Sequence, residues 1–241
     1  MIRNVGNDKT SQGLAQLPRQ QRLFGIIEQL VNALPVVLAF VVSVTAFATA
    51  RAQEVSLSDG KTFNGWAGDT NSTWRIESGA FIGGSLAKTV PRNEFLCTEK
   101  LYTNFVLRLT FKLSGRSGFI NGGVQFRSQR ATNPPNEMIG YQADLGDPQY
   151  WGSLYDESRR NKTLAPSNMA ELNKVLKRDD WNEYRIRCEG KRIRLWVNGL
   201  QTVDYTEPDE TIPQFGLIGL QIHGGAIAEA SYKDITIERL P

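Results

Sequence analysis

An all-β jelly-roll sandwich of two antiparallel sheets is the fold the sequence predicts, and three observations carry that reading. From Val55 onward the hydrophobic period is two rather than 3.6. Turn signals punctuate the chain at short intervals: Gly190-Lys191 and Asn198-Gly199 each separate two alternating runs, the mark of tight hairpins. Helical patterning is nearly absent.

The strands follow in order. Expected strands cover 73–77, 79–84 and 93–100. The run "NFVLRLTFKL" (104–113) sets Val106, Arg108, Thr110 and Lys112 against Phe105, Leu107, Leu109, Phe111 and Leu113, a strand with one wet face. Further strands are expected at 120–127, 139–145 and 150–155. "EYRIRCEG" with "RIRLWVNG" (183–199) and "LQTVDYTE" (200–207) read as successive hairpins. Strands at 215–223 and 232–240 close the chain. The only helical candidate is "NMAELNKVLK" near 168–177, introduced by Pro166-Ser167. An eight-stranded barrel competes, but several one-face-polar strands suit an open sandwich better. The long connections, 128–137 and 156–180, are where such a scaffold would build a site. Trp66, Trp74, Trp181 and Trp196 lie in framework strands and are read as core.

Residues 1–52 differ from the rest. Arg3, Lys9, Arg19 and Arg22 precede the uncharged run "LPVVLAFVVSVTAFATA" (34–50), with small-residue sites at Ala48-Thr49-Ala50 and Ala50-Arg51-Ala52. This reads as an export signal; the run is short for a membrane span, which needs about 20 residues, although an uncleaved anchor is the alternative. Two parts are therefore expected, a leader over 1–52 and one domain over 53–241, in an exported, periplasmic or extracellular protein. Removing the leader takes five basic and two acidic side chains, so the formal charge of +3 falls to zero. No basic face is then left to collect phosphates, which argues against nucleic acid as a partner, and after cleavage nothing points to a membrane. Cys97 and Cys188 are the only thiols. Export permits a disulfide, yet free buried thiols are the simpler expectation, and no ligand spacing suggests zinc.

Several segments jointly resemble one family: "LSDGKTFNGW" (57–66), "WRIESGAFIGG" (74–84), "NEFLCTEKLYTNFVLRLTFKL" (93–113), "NGGVQFRS" (121–128), "WNEYRIRCEGKRIRLWVNG" (181–199) and "GLIGLQIHGG" (216–225). Their order and spacing are similar to the 3-keto-disaccharide hydrolase domain family, from about Val55 to Leu240. The resemblance implies a concanavalin A-like jelly roll and hydrolysis of glycosides oxidised at carbon 3. It also implies site positions at His223, Arg127 and Tyr155. Two departures stand out: Ile222 replaces a common acidic residue, and Gln142 stands where many members carry Glu, which shifts the carboxylate role to Asp144.

A ketone at carbon 3 acidifies the hydrogen on carbon 2, so the glycosidic bond can leave by elimination, with water added afterwards. That route needs a base near carbon 2, an electrophile at the ketone oxygen and an acid at the leaving oxygen. His223, whose reference pKa is about 6.5, suits acid or base work. By alternation Gln221 and His223 share one face, as do Gln142 and Asp144. Arg127 would hold ketone or hydroxyl oxygens. Trp151 and Tyr155 offer flat surfaces to a sugar ring, with Asp156 and Arg159 as polar partners nearby. The cofactor is open: Asp144, Asp147, Asp156 and Glu157 could together offer oxygens to a divalent cation. No "GxSxG" elbow supports a serine triad. A carbohydrate-binding module without catalysis is the alternative function, since jelly rolls host both roles.

Overall fold

The computed structural model describes residues 53–241; the expected leader lies outside the described residues. Fifteen strands follow in order: β1 (Glu54–Ser56), β2 (Trp66–Ala67), β3 (Trp74–Glu77), β4 (Ala80–Gly84), β5 (Glu94–Thr98), β6 (Phe105–Ser117), β7 (Asn121–Arg130), β8 (Met138–Gly146), β9 (Leu154–Glu157), β10 (Lys162–Ala165), β11 (Asn182–Glu189), β12 (Arg192–Val197), β13 (Leu200–Thr206), β14 (Leu217–Ile222) and β15 (Ile227–Arg239). One sheet runs β13-β12-β11-β6-β15-β4-β3, with β1 paired to β15; the other runs β10-β9-β8-β7-β14-β5-β2. All pairings are antiparallel, and neighbours distant in sequence, such as β6 with β15 and β7 with β14, give the concanavalin A-like jelly roll.

Alternation explains the sandwich. Along β6, Phe105, Leu107, Leu109, Phe111 and Leu113 are buried between the sheets, while Arg108, Thr110 and Lys112 face out. Val124, Phe126, Tyr141, Ala143 and Leu145 answer them from the other sheet. Both hairpin signals are realised, with Gly190, Asn198 and Gly199 all at positive φ. Neither cysteine is paired: Cys97 lies in β5 and Cys188 in β11, on different sheets, and both thiols are buried. Burial pushes the Cys97 thiol up to about 11 and the Cys188 thiol to about 12, so both stay protonated and inert.

Three details differ from expectation. The helix is shorter, α1 (Met169–Leu172), capped by the Asn168 side chain on the N–H groups of Ala170 and Glu171. The strand expected at 150–155 begins only at Leu154, because residues 147–153 are spent turning the chain. Trp66 and Trp74 are core, but Trp181 and Trp196 are not. Trp196 shares its face of β12 with Arg192 and Arg194, so it lies outside, under the Arg185 guanidinium at 3.7 Å; Lys233 lies over the Trp181 ring at 4.5 Å.

Candidate active site

The outward face of the seven-stranded sheet carries an unusual load of buried polar groups. In register across β7, β8 and β9 stand Gln125, Gln142 and Tyr155; the next row holds Gln221, Gly123 and Asp144. Gln125 and Gln221 are fully buried and Gln142 nearly so. Gln142 Nε2 donates to Gln221 Oε1 at 3.0 Å and reaches Glu157 Oε2 at 3.4 Å. The Nε2 groups of Gln125 and Gln221 have no hydrogen-bond partner. Buried amide donors without a well-formed partner are costly, and that cost marks this face as a candidate for function.

Backbone packing builds this floor. Gly122 faces inward, where a Cβ would sit 3.2 Å from the Tyr232 hydroxyl, and Gly123 faces outward, where a Cβ would sit 2.7 Å from Gln142. The absence of both side chains lets Gln142 lie flat over β7. It also lets Tyr232 reach from β15, accept from the Gly123 N–H at 3.2 Å and donate to the Gln221 carbonyl at 2.7 Å. The floor is thus pinned from behind, through the core.

Carboxylates gather at its edge. Burial pushes Glu157 up to about 7, aided by the charge of Glu137 and opposed by the amides of Gln221 and Gln142. Burial holds Asp144 well above the usual carboxylate range, even though Asn121 Nδ2 and the Leu145 N–H each donate to its Oδ1 at 2.9 Å. Tyr155 is raised by burial and by the neighbouring carboxylates, so its hydroxyl remains a donor.

His223 closes one end. Its N–H donates to the Asn121 carbonyl at 3.1 Å, and Asn121 in turn holds Asp144. Its Nδ1 lies 2.7 Å from the Gly224 carbonyl, which can only accept, so Nδ1 carries a proton and Nε2 is the nitrogen left to exchange one. Phe119, edge-on at 4.8 Å between ring centroids, walls the imidazole, with Tyr150 beyond it. Opposite, Asn93 links the 131–137 loop to the same corner: its Nδ2 donates to Glu137 at 3.1 Å, and its Oδ1 accepts from Gly224 N–H at 3.0 Å.

Of the expected site residues, His223, Asp144, Gln142, Gln221 and Tyr155 are brought together on this face. Four others are placed elsewhere. Arg127 lies beyond a bulge between Phe126 and Gln129, with φ of 48°, which breaks the alternation. It is buried and donates to the carbonyls of Thr103 and Gly190 and to the side chains of Gln214 and Asn104, so it clamps loops and does not approach the floor. Trp151 is core, its ring 6.3 Å from Phe111, and offers no sugar platform. Asp156 follows β9's alternation to the opposite face from Tyr155 and Glu157. There it is fully buried and paired with Arg159 and Arg160. Arg159 lies at that end, 4.6 Å over the Tyr141 ring. Glu157 was the carboxylate the sequence offered on the correct face, because Tyr155 and Glu157 share parity with the partner of Gln142. Gln125, Asn121, Asn93 and Glu137 also join the site; only Gln125 had a signal, its place two residues from Gly123.

The four oxygens suggested for a cation do not converge. Asp147 is paired with Arg178 and Asp156 with two arginines, and no group of three or more His, Cys, Asp or Glu among the described residues is placed to hold a metal. Among the described residues, no helix is long and apolar enough to cross a membrane.

Comparison with known proteins bears on this arrangement. A candidate glycosyl hydrolase of Parabacteroides distasonis matches with a TM-score of 0.58 at 19% identity, covering 78% of this chain and 94% of that one. The carbohydrate-binding module CBM66 of Bacillus subtilis matches with a TM-score of 0.55 at 16% identity, covering 72% and 95%. A Bacillus subtilis protein with a galectin-like fold matches with a TM-score of 0.53 at 10% identity, covering 78% and 94%. At such identities these likenesses concern the fold. A search of curated proteins gives no significant match. The family model described as a 3-keto-alpha-glucoside-1,2-lyase-like domain matches residues 53–238, and the chain belongs to that family.

Proposed function

We propose that this is an exported carbohydrate-active enzyme that cleaves 3-keto-glycosides by elimination at carbons 1 and 2, followed by hydration. The observation that carries the reading is Glu157. It is a partly buried carboxylate raised to about 7, beside the amides of Gln142 and Gln221 on a floor that also holds the Gln125 amide, which is the pairing of base and electrophile that the reaction needs. The family's description as 1,2-lyase-like supports elimination, and the basic-then-apolar leader supports export.

In this reading Glu157 takes the proton from carbon 2, and the electron pair moves onto the ketone oxygen as an enolate. The Nε2 groups of Gln221 and Gln125 hold that oxygen; donors aimed at developing charge in a dry site typically supply about 2.7–4 kcal/mol each. The pair then returns to form a carbon 1–carbon 2 double bond and expels the glycosidic oxygen, which takes the proton of neutral Asp144. Water adds across that double bond: His223 Nε2 takes a proton from the water as its oxygen bonds to carbon 1, protonated Glu157 returns its proton to carbon 2, and the proton on His223 passes through solvent to restore Asp144, leaving the free 3-keto sugar. Gln142 orients Gln221 and Glu157 and carries no proton itself. The carboxylate lost where Gln142 stands is thereby supplied one strand away.

The test is to incubate the purified protein with a 3-keto disaccharide, with and without added divalent cations, and follow free sugar. Wild type should release it, and His223→Ala and Glu157→Gln should each slow release by about 10²-fold or more, with melting temperatures little changed. No release by wild type under either condition would sink the proposal. A second reading, a non-catalytic carbohydrate-binding module, is favoured by Gln142 itself, since Gln125, Gln142 and Gln221 form a neutral floor. Calorimetric binding of unmodified glycans without turnover of the keto sugar would select it.

A further inference from the structure

A cavity of about 340 Å³ lies toward the Glu157 end of the site, lined by Arg127, Arg130, Arg159, Leu101, Phe215 and uncharged neighbours. Three of these are arginines and none is acidic. The local charge is unbalanced: the guanidiniums of Arg127, Arg130, Arg159 and Arg160 are met by only two carboxylates, Asp156 and Glu207. Arg127 is anchored wholly by carbonyl and amide oxygens, and Arg130 Nη2 donates to the carbonyls of Ala67 at 2.7 Å and Phe95 at 3.0 Å. Such bonds fix a guanidinium without neutralising it, and burial lowers the Arg127 pKa, opposed by Cys188 and Tyr141 but by no carboxylate.

The rim has the opposite character. Leu101 and Phe215 are 57% and 52% exposed, and Ile139, Pro213 and Leu217 continue the apolar wall. A large exposed aromatic and a leucine beside uncompensated arginines match a ligand that is itself divided, with an oxyanion on an apolar body.

We propose that this cavity binds a small organic anion, a carboxylate or phosphate monoester on a flat apolar group. Arg130 would face the oxyanion, with Arg127 as the positive back wall, Arg159 staying paired with Asp156, and Phe215 against the apolar body. Only Ser158 separates Glu157 from Arg159, so the cavity lies near the β9 end of the floor. On the reading under Proposed function, on which this identification rests, the occupant is the acidic leaving group of a glycoside.

The experiment measures binding alone, by calorimetry or amide chemical shifts, on the full chain. The probes are 4-hydroxybenzoate, phenyl phosphate and the neutral 4-hydroxybenzamide. At least one anion should bind tenfold or more tightly than the amide, and whichever is tighter identifies the oxyanion. Arg130→Gln should weaken that binding at least tenfold, Arg130→Lys should retain most of it, and Phe215→Ala should weaken it several-fold. Glu157→Gln should leave it unchanged, so failure of the glycoside chemistry would not be mistaken for failure of this site. The proposal is overturned if neither anion binds, if the amide binds equally well, or if Arg130→Gln binds as wild type does while folded by its melting temperature.

Discussion

Glu157 and Asp156 are adjacent in sequence and do opposite things. Asp156, fully buried, meets two guanidiniums; Glu157, beside Gln142 and Gln221, meets amides and a second carboxylate. Only the second environment favours a neutral acid near pH 7. If Glu157 is the base, kcat/KM should climb with pH through a limb near 7, and Glu157→Gln should remove that limb along with most of the rate. A pH–rate profile of both proteins checks this. The resemblance supplied Tyr155. Period-two patterning put Gln221 with His223 and Gln142 with Asp144 on shared faces, as the structure has them, because a strand's alternation is a local property. It failed at Arg127, where a bulge reverses the parity, and at Trp151, where a turn replaces the expected strand. A bulge leaves no clear mark in side-chain chemistry, so that error is not curable from sequence.

At the scale of elements, two devices hold the strands where the site needs them. Arg160 joins β9's end to the segment after β13, pairing with Asp156 and with Glu207 at 2.8 Å, both carboxylates fully buried. Arg160 holds Glu207 at about 2 against its burial. Arg160→Gln leaves Glu207 buried without its guanidinium and Asp156 with Arg159 alone, and should cost about 3–5 kcal/mol in denaturant unfolding. Tyr232 joins β15 to β7 and β14 beneath the floor. Tyr232→Phe removes those bonds and should cost about 1–3 kcal/mol, with a loss of rate out of proportion to the loss of stability. Comparison of unfolding curves with turnover separates the two effects. Neither device was legible in the sequence, since each depends on contacts between strands far apart in the chain. The hairpins around Gly190 and Asn198-Gly199 were legible because the turn residues themselves carry the signal.

For the whole molecule, the raised carboxylates make stability depend on pH. Glu157, and Asp144 in the same direction, bind protons more tightly folded than unfolded. Their contribution is therefore full below about 4.5 and is lost as pH rises toward the folded value, about 7 for Glu157. Stability measured from pH 5 to 8 should decline by at most about 3 kcal/mol from Glu157, and Glu157→Gln should flatten the curve. A face that destabilises its own fold in the ionised state fits the proton-transfer role proposed for Glu157. The two-sheet architecture was readable from hydrophobic period and turn chemistry, while the sheet order, which places β14 between β5 and β7, was not.

Abstraction by Glu157 of a proton from the carbon beside a ketone, on the outward face of the seven-stranded sheet, can be followed by solvent-deuterium exchange. A 3-keto-glycoside is incubated with the protein in deuterated buffer, and carbon 2 is followed by NMR. Wild type should bring about exchange or elimination at carbon 2 well above the buffer rate, Asp156→Asn should retain it wherever the protein remains folded, and Glu157→Gln should lose it by about 10²-fold or more. Exchange at the wild-type rate in folded Glu157→Gln, or none in wild type, would contradict the account.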